Sequence, residues 1–271
     1  MKLLAAIISI SLGLGSIWGA RIEGEKTNSG VRVIQMKPTP EPDEVEVRFA
    51  FPLEGELKND KPMIVQLRLE AFPIGFVSDF PRAREIRDSD EGQAVRIILD
   101  GKHYFDINEA IDDVAENEEI DFDQILEAKI PYDLSDGIHI LRAFPVRSFG
   151  ESLKNPKCFA STYFYFGKAE KKPSIDLNRP YLTYNAPEGK FSVDQPILLD
   201  FYLTNTQLSN DGYKVRLTID KSDKRILTEW VPYFIYGLKK GSHTIKLELL
   251  DPSGKVLPPL FNDLEQTISV N

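Results

Sequence analysis

The feature that most constrains this chain is an internal repeat. Residues 54–62 (EGELKNDKP) align with residues 188–196 (EGKFSVDQP) at an offset of 134, and an apolar stretch follows each. Val95-Arg96-Ile97-Ile98-Leu99-Asp100 aligns with Val215-Arg216-Leu217-Thr218-Ile219-Asp220 at offset 120. Residues 134–139 (LSDGIH) align with 238–243 (LKKGSH) at offset 104. Three matches in one order, with a shrinking offset, describe two copies of one unit. The first copy carries extra residues on both sides of its VRIILD segment. A chain of 271 residues has room for two such units, each with its own core.

The repeated segments read as strands. Ile245, Leu247 and Leu249 alternate with Thr244, Lys246 and Glu248, the period of two that a half-buried strand requires. Residues 160–166 (ASTYFYF) are β-branched and aromatic, and NDG, DPSG and SDG turn signals separate such runs. The pattern predicts an all-β chain of two tandem immunoglobulin-like β-sandwiches, the first with a short acidic, partly helical insertion. The boundaries it suggests are a signal peptide at 1–20, a polar and Pro-rich N-terminal segment at 21–43, and a first sandwich at 44–167. A linker at 168–179 and a second sandwich at 180–271 follow.

Leu3 to Ala20 carry no charge after Met1-Lys2, which reads as a secretory signal and predicts export to the periplasm or the extracellular space. An uncleaved anchor is the competing reading and the one route to a membrane. The formal charge of −9 argues against a nucleic-acid partner, because phosphate contacts need clustered Lys and Arg. One cysteine excludes an internal disulfide, and three histidines leave little for a zinc enzyme. The nucleophile-elbow, zinc-helix and phosphate-loop motifs are missing, so no catalytic residue, metal or cofactor is expected.

The Leu-x-x-Gly-x-His-x-Ile-x-Leu pattern from Leu238 to Leu247 resembles the late strands of bacterial immunoglobulin-like or fibronectin-III-like domains. Residues 141–155 (LRAFPVRSFGESLKN), 198–205 (LLDFYLTN) and 229–238 (EWVPYFIYGL) are similar to uncharacterised secreted bacterial proteins with paired sandwiches. That resemblance implies a fold and no chemistry.

The candidate site residues follow from position. His139 and His243 hold equivalent places, and the expectation is that each opens a strand with a ring nitrogen bonded to the preceding turn. Residues 106–127 hold ten acidic and no basic side chains. Ile111, Val114, Ile120, Phe122, Ile125 and Leu126 suggest helical turns there with solvated charges, and calcium-loop spacing is absent. The mixed-charge loop 80–92 lies in the same unit as Arg142 and Arg147, and a binding surface is expected there. Trp230, among Tyr233, Phe234 and Tyr236, reads as core or as a sugar-stacking platform. The function expected is an exported non-catalytic binding or structural protein of the bacterial envelope, with a protein or an envelope glycan as partner. A carbohydrate-binding module is the alternative, and a hydrolase is third.

Overall fold

The computed structural model describes residues 30–101, 103–109, 124–169, 175–258 and 263–271. The expected signal, most of the acidic insertion and part of the linker lie outside the described residues. The strands are β1 (Arg32–Gln35), β2 (Glu46–Phe51), β3 (Glu56–Lys58), β4 (Ile64–Glu70), β5 (Ala94–Leu99), β6 (His103–Ile107), β7 (Gln124–Lys129), β8 (Gly137–Val146) and β9 (Ala160–Phe166). They continue as β10 (Tyr181–Ala186), β11 (Gly189–Phe191), β12 (Ile197–Thr204), β13 (Lys214–Ile219), β14 (Asp223–Leu227), β15 (Tyr233–Tyr236), β16 (Gly241–Leu250) and β17 (Asp263–Val270).

These strands form four sheets, and the second half of the chain repeats the order of the first. Sheets β2-β4-β7 and β3-β9-β8-β5-β6 in one half correspond to β10-β12-β15 and β11-β17-β16-β13-β14 in the other. Even the irregularities recur. The register slips between Phe49 and Phe51 in β2 and between Tyr184 and Ala186 in β10. Strands β3 and β11 each pair in parallel with the last strand of their half.

Each half encloses its own core. Val65, Leu67, Ile97, Leu126, Leu141 and Phe164 meet between the first pair of sheets. Leu182, Leu199, Phe201, Leu217, Ile245 and Leu247 meet between the second. Alternation decides which side chains enter: in β4, Val65, Leu67 and Leu69 are buried while the residues between them are partly or fully exposed. Ile125 and Leu126, expected in helical turns, instead lie on β7, where the pleat buries Leu126 and exposes Ile125.

Strands β8 and β12 break the alternation, because every residue in them but Gly137, Ile138 and Thr204 is buried. One face of each lines its own core, and the other is covered by the opposite half. Phe144 and Val146 on β8 share a cluster with Tyr202 on β12, and Phe144 stacks on Tyr202 with centroids 5.2 Å apart. Beside them Ile86 and Phe149 pack with Leu198 and Phe234. The two inner sheets are therefore stacked outer face to outer face. The segment after β9 covers what remains: Ile175 is buried against Ile140, Tyr163 and Tyr165.

Sequence reading gave residues 32–35 no pairing. In the structure β1 lies antiparallel on β15, so the first strand among the described residues completes a sheet of the second half, and Val33 enters that core. From there the Pro-rich segment crosses back. The Thr39 amide and hydroxyl donate to the Glu151 carboxylate at 2.8 Å, and the Lys154 and Asn155 amides donate to Glu41.

Candidate binding cleft

Where the inner sheets meet, a polar network is buried between them. Asp200, wholly inaccessible on β12, accepts from Lys154 Nζ at 2.6 Å, Ser152 Oγ at 2.6 Å and Asn185 Nδ2 at 2.7 Å. Asn185 sits at the bulge of β10, where an irregular register re-aims side chains. Its Oδ1 accepts from Arg96 Nη1 on β5 at 2.9 Å. The Arg96 fork also grips Asp106 on β6, Nε to Oδ1 at 2.8 Å and Nη2 to Oδ2 at 2.7 Å, and lies 4.0 Å over the Tyr104 ring. Burial works against the Arg96 charge, but the Asp106 charge and hydrogen bond outweigh it and raise its pKa. For the Tyr104 phenol, burial is what raises the pKa.

At the edge of this network the halves part and leave a cleft of about 460 Å³. Its first-half wall comes from the 86–92 loop, from Arg96, Tyr104, Asp106 and Asn108, and from the turn 146–150. Its second-half wall comes from residues 185–188 with Phe191, Pro196 and Leu198. A second bridge crosses it, from Arg87 Nη1 to the Lys190 carbonyl at 3.3 Å. Gly92 holds φ at +79° in the wall, and a Cβ there would sit 2.4 Å from the Gly75 carbonyl carbon. No other residue fits that crossing of two backbones.

The three residues singled out from sequence are not brought together. Arg147 lines the cleft, its guanidinium 4.4 Å over Phe80 and donating to Gln93 Oε1 at 3.2 Å and the Pro40 carbonyl at 2.6 Å. Arg142 is buried in the joint, stacked on Tyr181 at 4.7 Å and donating to Thr183 Oγ1 at 3.0 Å. Burial pulls its pKa down to about 10. Trp230 is half-buried, its Nε1 donating to the Phe201 carbonyl at 2.8 Å and its ring edge-on to Tyr202 at 4.9 Å. Arg142 ties the halves together, and Trp230 joins the cluster between them, with Lys154 Nζ 5.9 Å over its ring.

The histidines do as expected. His139 Nε2 meets the Ser135 carbonyl at 2.9 Å and His243 Nε2 the Lys239 carbonyl at 2.7 Å, both in the turn before the strand. Among the described residues, no three His, Cys, Asp or Glu side chains gather as a metal site, and no helix is long and apolar enough to cross a membrane.

Sequence reasoning missed Arg96, Asn185, Asp200 and Glu188. One signal was available for three of them: a polar residue interrupting an apolar strand, as in VRIIL, TYNA and LLDFYL. Arg96 is the most instructive, because its counterpart in the repeat, Arg216, pairs with Glu248 within one sheet at 2.7 Å.

No family model matches the chain, and no curated protein matches it. Among solved structures it is similar to the fibronectin(III)-like modules of Clostridium thermocellum CbhA, with 13% identity, TM-score 0.28, and 83% of this chain and 94% of that one covered. It is also similar to SGBP-B of the Bacteroides ovatus mixed-linkage glucan utilization locus, solved with a mixed-linkage heptasaccharide. There the identity is 14% and the TM-score 0.24, over 86% of this chain and 47% of that one. A tetra-tandem repeat from the extending region of a large adhesion protein gives 14%, 0.25, 84% and 49%.

Proposed function

We propose that this chain is an exported, non-catalytic binding protein of the bacterial cell envelope. In this reading it consists of two immunoglobulin-like units at 44–167 and 180–271, and the cleft between them is its binding site. The uncharged run from Leu3 to Ala20 supports export. The observation that carries the binding reading is the buried Asp200–Lys154–Ser152–Asn185–Arg96 network beside an open cleft. Such a network fixes one arrangement of the halves, so walls contributed by both are already in place before a ligand arrives. Of the residues expected to bind, Arg147 serves the cleft, while Arg142 and Trp230 serve its foundation.

The test is native mass spectrometry of the chain purified from its own envelope, beside a Glu91→Trp variant that fills the cleft from an exposed position. The expected result is a bound molecule on the wild type, absent from the variant and released chemically unchanged. A molecule retained equally by both would place binding elsewhere, and a molecule released altered would make the chain an enzyme.

A further inference from the structure

We infer that the cleft takes a short neutral oligosaccharide, an inference that rests on the cleft being the binding site. Size comes first. A space of about 460 Å³ is within the range of small-molecule sites and far exceeds what a lone ion needs.

Charge narrows the ligand further. The walls hold three arginines, Arg87, Arg96 and Arg147, and four carboxylates, Asp88, Glu91, Asp106 and Glu188. Arg96 is bound to Asp106, Arg147 to a carbonyl and an amide oxygen, and Arg87 to the Lys190 carbonyl. An anion would meet cations already engaged and a small surplus of carboxylates, so phosphorylated and uronic ligands are disfavoured. Each carboxylate has about four lone-pair sites; Arg96 takes one on each oxygen of Asp106, the Ser89 amide takes one on Asp88, and Glu188 is also engaged in part. The remaining capacity is acceptor capacity, which hydroxyl groups satisfy without bringing a charge.

The rim supplies the apolar part. Tyr104, half-buried, lines the first-half wall with Arg96 over one face of its ring. Phe191, half-buried, lines the opposite side. Hydroxyl acceptors beside half-buried aromatic rings suit a sugar, which has a hydroxyl edge and a C–H face. A lipid would strand the polar walls without partners.

A glycan array probed with the exported chain tests this, with Glu188→Ala and Phe191→Ala as variants, because both residues line the cleft, Glu188 exposed and Phe191 half-buried. We expect retention by one or more neutral oligosaccharides, weakened about tenfold by Glu188→Ala, the loss of one hydrogen bond to a charged acceptor. Retention by acidic glycans alone, weakened by the same variants, would overturn the neutral class and leave the cleft as the site. Neutral binding indifferent to both variants would overturn the cleft as well. No glycan retained, with a bound molecule still present in the native spectrum, would overturn only the sugar.

Discussion

His139 Nδ1 lies 2.7 Å from Asp100 Oδ2, and the second half repeats the contact, with His243 Nδ1 2.7 Å from Asp220 Oδ2. Each aspartate stands in a turn at positive φ and spends its other oxygen on the amide after the histidine, Ile140 in one half and Thr244 in the other. These are the identities that the repeat alignment picked out. Burial works against the imidazolium in both, but hydrogen bonds to the aspartate and to the turn carbonyl raise both pKa values above 6.5. A raised folded-state pKa stabilises fully below the unfolded value and loses that contribution as pH rises through the folded one. The stability gap between wild type and an Asp100→Asn/Asp220→Asn double variant should therefore be largest below pH 6.5 and narrow above it. Urea denaturation across that range checks this.

The two histidines should not be equal. His139 is buried and stacks near Phe164 at 5.5 Å, whereas His243 is half-buried. His139→Ala should cost about 2 kcal/mol and His243→Ala about half that, by the same denaturation.

Asp200→Ala should be the most damaging change in the joint. It leaves Lys154, its side chain 10% exposed, without its carboxylate between two packed sheets. The expected loss is about 3–5 kcal/mol of unfolding free energy. A value near zero would mean that the halves part without consequence.

Gly237 holds φ at +81°, and a Cβ there would sit 2.7 Å from the Gly30 carbonyl oxygen. Gly237→Ala should push the start of β1 off β15 and cost about 1 kcal/mol. Hydrogen exchange should quicken at Val33 and Ile235, which face each other in the register, while β8 stays protected.

Trp230 is the one tryptophan after residue 18. Its bonded Nε1 and its contact with Tyr202 predict a blue-shifted emission that iodide quenches poorly. A red-shifted, readily quenched emission would place the ring in solvent.

Much of the fold was legible because it is written twice. Periodicity in β4 and β16 points to the right faces, and the matched Asp and His residues mark equivalent turns. The joint was not legible, for a physical reason. A strand covered on both faces has no polar side to announce itself, and Asp200 inside LLDFYL looks the same whether it meets water or Lys154. Strand β1 escaped for another reason: four residues give too short a window for any period, and their partner lies far along the chain.

That partner has a consequence for how the protein is made. The Val31 carbonyl accepts from Arg225 Nη2 at 3.0 Å, across 194 residues of sequence. As the chain emerges from the ribosome, β1 must wait, unpaired, until β15 at Tyr233–Tyr236 has been synthesised. A fragment beginning at residue 180 would carry β15 with an open edge, the kind of edge on which copies of a chain pair with one another. Expression of the later half should therefore succeed best when residues 30–36 are supplied with it.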